Sequence, residues 1–370
     1  MGIFSHYNES RLHPLFILAT YPTVIGYRMI SHHLPTCIGL HIYEWNPTLA
    51  PSLTLRLIME RCSKCDCGLL EFYHRYTGKP RELFDLCVDH KLILESKSCD
   101  TCGKPATLSF NLKLWRCQKT TRDPIQRKRR KCNWSESVFK NTFFASVHLD
   151  LETVLFFVNA YLRECFSYQF VRSEFGLSNT SICDWASFCR EVLVEWCVKC
   201  EGKIGGPGKI VEIDESKFGK RKYNVGRIVE GQWAFGGVCR ESRRCFMVPV
   251  ETRDSQTLLS VIEEKIEPGT TIISDCWKAY NCLSERGYEH LKVNDSLNFV
   301  DPSTLAHTNT VERLWRDVKS KVPLYGRRRK HFAGYLARSM FLMHIKEPNK
   351  RFHVFMKEVA ALCNPYPPPQ

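Results

Sequence analysis

The C-terminal half of the chain alternates between short apolar runs and longer amphipathic stretches. KIVEID, GTTIISD and EHLKVN have strand length, while GQWAFGGVCR and RCFMVPVE flank the polar turn 241–243, which indicates a hairpin. SQTLLSVIEEKI, CWKAYNCLSERG and NTVERLWRDVKSK have the helical period instead, as with Val311, Leu314, Trp315 and Val318 at i, i+3, i+4 and i+7. The order strand, hairpin, helix, strand, helix, strand, helix predicts a mixed α/β layer.

The stretch from 150 to 200 has a different pattern, which is helical throughout. Gly176 interrupts SYQFVRSEFGLSNTSICDWASFCREVLVEW, and Ser178 or Asn179 can cap the helix that follows. Two helices joined by a short glycine-containing turn are typical of a helix-turn-helix, with 179–192 in the recognition position. Asn179 and Thr180 are then candidate DNA-contacting residues. Any small helical bundle gives the same pattern, so both interpretations stay open.

The charge of the chain indicates what kind of partner the protein binds. Lys and Arg number 53 against 39 Asp and Glu, a formal excess of +14, which favours a polyanion such as nucleic acid. The alternative is a solvated basic surface without a partner. The candidate phosphate-contacting residues lie in KFGKRK and in the basic run QRKRRK: Lys217, Lys220, Arg221, Lys222, Arg129 and Arg130.

The apolar N-terminal segment PLFILATYPTVIGYRMI does not predict a membrane span, because Pro22 interrupts it and it is shorter than such a helix needs. Nineteen cysteines in a chain of this length and apolar helical content favour reduced thiols and metal ligation over a disulfide scaffold. Cys99 and Cys102 in CDTCG have the spacing at which two thiolates reach one zinc, and Cys117 and Cys132 offer a second pair.

Other cysteines are harder to interpret. CSKCDC at 62–67 is another candidate cluster, together with Cys87, but it lacks a convincing fourth ligand. Buried free cysteines are the alternative for both clusters.

Two carboxylates stand where strands end: Asp214 after IVEI and Asp275 after TIIS. Glu312 lies in the first turn of the predicted helix with the Val311–Val318 apolar face. Three converging acids can hold two hard divalent cations, which activate a water or a 3′-hydroxyl in phosphoryl transfer. A metal also explains why acids would face phosphate in a basic sequence. Spacing alone leaves three nearby competitors, namely Glu215, Asp295 and Asp301.

The segments VEIDESKFGKRKYNVGRIVEGQWAFGGV, IISDCWKAY and AHTNTVERLWRDVK together resemble the core of DDE-type transposases, in particular the Merlin group and its bacterial insertion-sequence relatives. The resemblance implies a ribonuclease H-like fold with Asp214, Asp275 and Glu312 as a catalytic triad that uses Mg²⁺ or Mn²⁺. It also implies a structural Zn²⁺ ribbon on Cys99, Cys102, Cys117 and Cys132, double-stranded transposon and target DNA as partners, and a homo-oligomer.

One position departs from the family pattern, since Asp295 stands where a histidine is expected. His307 and Asn309 match the family's HTN stretch, either as helix caps or as part of the catalytic site. The expected organisation is a partly helical region (1–95), a zinc ribbon with a basic insert (96–145), a helix-turn-helix (146–204), the catalytic domain (209–345) and a C-terminal tail (346–370).

The sequence therefore predicts an α/β transposase, located in the nucleus if the source is eukaryotic. Two other classes of protein compete with it. One is a domesticated, catalytically silent DNA-binding protein, and the other is a zinc-ribbon transcription regulator whose C-terminal half only dimerises.

Overall fold

A computed structural model of the chain describes residues 62–122, 129–145, 148–164, 166–200, 202–219, 231–294, 300–302, 305–323, 329–363 and 365. All of them belong to the unit formed by residues 31–370. Among them, no helix combines the length and the apolar character that a membrane crossing requires.

The first described elements are two short helices and a small β domain. Helices α1 and α2 are followed by an antiparallel sheet in the order β1-β2-β5, and the separate hairpin β3-β4 is inserted between β2 and β5. The bounds are α1 Leu69–Tyr76, α2 Pro80–Asp89, β1 Thr107–Ser109, β2 Leu114–Arg116, β3 Thr120–Arg122, β4 Arg129–Lys131 and β5 Ser135–Ser137.

Three helices follow: α3 Leu151–Tyr161, α4 Tyr168–Phe175 and α5 Asn179–Cys200. Side-chain caps fix their starts: Asp150 accepts from the backbone N–H of Thr153 at 2.7 Å, Ser167 from that of Phe170 at 3.1 Å and Ser178 from that of Ser181 at 3.1 Å. Helix α4 ends at Gly176, whose left-handed φ of 63° glycine adopts readily. Helix α5 is longer than the predicted 179–192, since its apolar stripe continues through residues 193–197.

A five-stranded sheet of order β12-β11-β7-β8-β9 forms the C-terminal half. Strands β7, β8 and β9 are consecutive and antiparallel, while β11 runs parallel to both β7 and β12. The bounds are β7 Ile210–Phe218, β8 Gln232–Cys239, β9 Cys245–Val250, β11 Thr271–Asp275 and β12 Glu289–Val293, with a small parallel pair β6 Ile204–Gly205 and β10 Ile266–Glu267 outside this sheet.

Helices cover both faces of the sheet. Helix α6 (Ser255–Lys265) contributes Leu258 and Ile262 to the core that contains Val211 and Ile213 of β7. Helix α7 (Asn309–Lys321) packs its apolar stripe on the opposite face. This layering confirms the predicted mixed α/β architecture.

Two parts of the C-terminal half differ from the sequence expectation. The segment predicted as a helix over CWKAYNCLSERG forms two 3-10 turns, Lys278–Tyr280 and Ser284–Arg286, that bury Tyr280 and Leu283. Beyond α8 (Phe332–His344), where only a tail was expected, the chain forms α9 (Pro348–Leu362). The buried aromatic residues of α9 pack into the same core as α1–α5, which gives this terminal segment a hydrophobic reason to be helical.

Candidate active site and zinc ribbon

The two aspartates predicted at strand ends lie on neighbouring parallel strands. Asp275 ends β11, but the prediction is wrong for Asp214, because β7 stays paired with β8 as far as Phe218. The register pairs Ile272 with Val211 and Ile273 with Glu212. Continued for two more residues, it places Asp275 level with Asp214, on strands about 4.8 Å apart. Side chains alternate along a strand, so both aspartates share the face that Glu212 also occupies. The sheet therefore brings together two acids that are separated by 61 positions in the sequence.

Helix α7 is attached to this same face by a buried carboxylate. Glu212 has no exposed surface, and its Oε2 accepts from the backbone N–H groups of Thr310 at 2.7 Å and Val311 at 3.0 Å. These are N–H groups of the first helical turn, which have no partner within the helix, and the helix dipole favours a negative charge there. Glu212 thus fixes the start of α7 two residues along β7 from Asp214.

The other oxygen of Glu212 is bound as well. Arg240 donates from Nε to Glu212 Oε1 at 2.6 Å, and its second guanidinium nitrogen donates to His307 Nδ1 at 3.0 Å and to the His307 carbonyl at 2.8 Å. His307 Nδ1 also lies 3.5 Å from Glu212 Oε1. Since arginine can only donate, Nδ1 accepts in the contact with Arg240. His307 is therefore linked through Arg240 to the carboxylate that binds the start of α7, and its ring does not itself cap the helix.

Glu312 lies one residue beyond this attachment, in the first turn of α7. Its Oε1 accepts from the Thr308 hydroxyl at 3.4 Å, and its side chain is exposed. Lys319 lies seven residues further along the same side of α7. Burial lowers the pKa of Lys319, and the negative charge of Asp214 opposes that shift. This side of α7 therefore borders Asp214.

The three acids nevertheless do not form one tight ligand cluster. Across the part of the chain that the structure describes, sets of three or more candidate ligand residues with all donor atoms within 4.8 Å consist of cysteines and histidines. Asp214, Asp275 and Glu312 are spread more widely than that.

Of the competing acids that the structure describes, Glu215 follows Asp214 directly on β7. It alternates with Asp214 and so points to the opposite face of β7. Its Oε1 is buried without a hydrogen-bond partner, and its Oε2 lies 4.0 Å from Arg253. Burial raises its pKa to about 8, with contributions from the charges of Asp214 and Asp275. Asp301 lies in a turn closed by bonds with Leu305 and Ala306, and Asp295 lies outside the described residues.

Cations and aromatic rings meet near the same end of the sheet. The Arg253 guanidinium lies 4.0 Å from the ring centre of Trp233 and 5.0 Å from that of Trp277, and Lys217 Nζ lies 5.3 Å from Trp233. The Trp277 side chain is 42% exposed, and its backbone N–H donates to Asp275 Oδ1 at 3.0 Å. The sequence analysis did not single out Trp233, Arg253 and Trp277, although the WK pair that follows Asp275 after one residue was a usable signal.

Gly236 of β8 sets how closely α7 approaches the sheet. It is paired with Asp214, and a Cβ at this position would lie 2.8 Å from the Trp315 ring and 3.0 Å from the Phe246 carbonyl. We expect Gly236→Ala to displace α7 and to cost about 1–3 kcal/mol, as for other overpacked sites. The measurement is the Tm of the full chain. Gly202→Ala is the control, because its Cβ would meet only Arg244 at 3.4 Å; equal Tm values for both variants would contradict the close approach.

The four predicted ribbon cysteines are brought together. All four Sγ atoms lie within 4.8 Å of one another, with Cys99 to Cys132 and Cys102 to Cys117 both at 3.6 Å. Sulfur atoms on a tetrahedral zinc are about 3.8 Å apart, so the cysteines fit this ion. In the long gap between Cys117 and Cys132, strands β3 and β4 pair from Thr120 with Lys131 to Arg122 with Arg129, and residues 123–128 lie outside the described residues.

The remaining predicted DNA-contacting residues are placed as follows. Asn179 and Thr180 are exposed in the first turn of α5, and Arg129 is exposed on β4, opposite Arg122. Arg130 is paired with Thr121 in the same hairpin. Lys220, Arg221 and Lys222 lie outside the described residues. DNA contact by all of these residues stays a prediction.

Comparison with known proteins adds family evidence to this geometry. Residues 202–342, which include Asp214, Asp275 and Glu312, match the model of the ISXO2-like transposase domain. A segment of 94 residues is 27% identical to an "Uncharacterized transposase-like protein" of Haemophilus influenzae, and the match covers 25% of this chain and 75% of that protein.

A solved structure also resembles part of the chain. A chain in the simian T-cell lymphotropic virus intasome, in complex with PP2A regulatory subunit B56 gamma, is 16% identical with a TM-score of 0.22. The match covers 49% of this chain and 60% of that one. The family model and the Haemophilus relative together support a transposase family for this chain.

Proposed function

We propose that the protein is a metal-dependent DNA transposase of the DDE type, related to the Merlin group, that cleaves transposon ends and joins them to target DNA. The observation that carries this proposal is the arrangement of acids on one face of the sheet. Asp214 and Asp275 lie level on parallel strands, and Glu212, on the same strand as Asp214, binds the N-terminus of the helix that contains Glu312. The match of residues 202–342 to a transposase domain supports it.

The sheet topology supports a ribonuclease H-like catalytic domain. Three antiparallel strands come first in the sequence, and two parallel strands are then added beside the first of them. Asp214 lies on that first, central strand and Asp275 at the end of its parallel neighbour, where open α/β folds collect ligands.

The donor set fits Mg²⁺ or Mn²⁺. Carboxylate oxygens are the ligands that these hard cations prefer, and Asp214, Asp275 and Glu312 would hold them. Bound ions would supply the activated nucleophile and stabilise the leaving oxygen of phosphoryl transfer. Paired ions in such sites are about 3.5–4 Å apart, so three acids that hold a pair need not lie within one coordination sphere.

Charged and aromatic side chains supply a surface for the DNA. Lys217 and Arg253 would contact backbone phosphates, and the exposed ring of Trp277 beside Asp275 would stack on a base near the scissile bond. The zinc ribbon and the exposed first turn of α5 would recognise transposon-end duplex, and capture of two ends requires a homo-oligomer. In a eukaryotic source, the protein would act in the nucleus.

One observation favours a different function. Glu312 is exposed, and the three acids do not converge within 4.8 Å. A domesticated DNA-binding protein with a silent catalytic domain would have no need for closer convergence.

A strand-transfer assay separates the two functions. The full chain is incubated with pre-cut duplexes copied from the ends of its own element and with a supercoiled target plasmid. We expect joined products with Mg²⁺ or Mn²⁺ and none with EDTA. Binding of the end duplexes without products in either metal would instead support the silent DNA-binding protein.

A further inference from the structure

A second group of metal-ligand side chains lies apart from both the acidic face and the zinc ribbon. It consists of Cys62, Cys65, His90 and His353, whose donor atoms all lie within 4.8 Å of one another. Cys65, His90 and His353 are buried, with 0%, 3% and 7% exposure. We propose that these residues form a second, Cys₂His₂ zinc site, which goes beyond the function proposed above.

The distances between the donor atoms fit a tetrahedral ion. Cys65 Sγ lies 3.4 Å from His90 Nε2 and 3.7 Å from His353 Nδ1, and the two imidazole nitrogens are 3.0 Å apart. Zinc bonds of about 2.3 Å to sulfur and about 2.0–2.1 Å to nitrogen give sulfur–nitrogen edges of about 3.6 Å and nitrogen–nitrogen edges of about 3.3 Å. The three separations agree with these edges to within about 0.3 Å, so zinc fits with only small shifts.

The neighbouring backbone prepares two of the ligands. His90 donates from Nδ1 to the Leu86 carbonyl at 2.8 Å, which leaves the lone pair of Nε2 directed at the cluster. Cys62 and Cys65 have the C-x₂-C spacing of zinc sites, and the turn between them is closed by bonds from the N–H groups of Cys65 and Asp66 to the Cys62 carbonyl. A turn and an oriented imidazole thus converge from separate segments.

The metal-free alternative is a hydrogen-bonded cluster in which Cys65 Sγ contacts both imidazoles and His90 contacts His353. Those pairwise contacts do not account for the convergence of all four ligand atoms, including that of Cys62, within 4.8 Å. Four lone-pair donors in a mostly buried place are costly unless something satisfies them together, which a divalent ion does. We therefore favour the metal.

The site would join the two ends of the described chain. Cys62 and Cys65 precede α1, His90 ends α2, and His353 lies on α9, 263 positions after His90. Beside the site, the rings of Phe72 and Phe352 are 4.9 Å apart. Four protein ligands leave no open position on a tetrahedral ion, which is typical of a structural site. Its role would be to hold α9 against the N-terminal helices of the bundle that contains α5.

Zinc content and ligand type test this directly on the wild-type full chain. Protein purified in reductant and dialysed against a weak chelator is analysed by mass spectrometry for zinc and by X-ray absorption for its ligands. With both sites filled, we expect two zinc ions per chain, with an average of about three sulfurs and one nitrogen per ion. One zinc per chain with four sulfurs would overturn the proposal, whatever the outcome of the strand-transfer assay.

Variants assign each ion to its site. We expect His353→Ala and His90→Ala to fall to one zinc with four sulfur ligands, whereas Cys117→Ser keeps one zinc with two sulfurs and two nitrogens. His344→Ala of α8 and Cys87→Ala are the controls, since neither residue belongs to the cluster, and both should retain two ions. Loss of zinc from Cys87→Ala with retention in His353→Ala would contradict the assignment.

Discussion

Replacement of Asp214 by asparagine is expected to lower strand transfer by at least about 10³-fold while DNA binding is kept. Asparagine preserves the shape of the side chain but lacks the charge that holds a divalent cation. The loss of about 4 kcal/mol of transition-state stabilisation accounts for this factor. Because a negative charge near phosphate is removed, binding of end duplexes should be unchanged or tighter. Single-turnover strand transfer and fluorescence anisotropy measure the two effects.

Glu215→Gln is the matched control for this substitution. Its side chain is next in sequence but points to the other face of β7, away from α7. Glutamine also matches the shape of a carboxyl whose pKa is raised to about 8 by burial and by the two aspartates. We expect this variant to stay within about tenfold of wild type. If Glu215→Gln abolished strand transfer and Asp214→Asn did not, the ligand assignment would be wrong.

The sequence was most informative where a local pattern determines the structure. The apolar runs before Asp214 and Asp275 predicted two strands, although β7 extends beyond Asp214 to Phe218. The structure places the two aspartates side by side because the strands are parallel neighbours. The period of Val311 to Val318 predicted the buried face of α7, and all four residues of that face are buried. In both cases the residues that give the pattern lie within a single strand or a single helix.

The features that the sequence could not predict depend on contacts between residues that are distant along the chain. Glu212 resembles a polar interruption of a strand until Thr310 and Val311, almost a hundred positions later, are seen to donate to it. His353 likewise completes a cluster for which CSKCDC lacked a fourth ligand. The C-terminal residues looked like a tail because α9 has polar residues among its apolar ones, and only its packing against α1 and α5 explains its burial.

The second large effect is expected from Glu212→Gln, through the position of α7. The amide can offer its oxygen either to Arg240 or to the N–H groups of Thr310 and Val311, so one set of donors then faces an NH₂ group. Disruption of a buried ion pair costs about 3–5 kcal/mol. For a domain of this size, that cost corresponds to a fall of about 6–20 °C in Tm. Thermal unfolding followed by circular dichroism measures it.

Activity below the Tm distinguishes a positioning role of Glu212 from a purely stabilising one. If Glu212 sets the place of Glu312, the folded variant should need more Mg²⁺ for half-maximal strand transfer, because one ligand has moved while all three acids remain. Glu251→Gln is the control, since Glu251 pairs with Arg329 at 2.9 Å on the surface and contributes little. A Glu212→Gln protein that is folded at the assay temperature and has the wild-type Mg²⁺ dependence would show that α7 keeps its position without this cap. The attachment would then matter for stability alone, and the position of α7 on the sheet would need another cause.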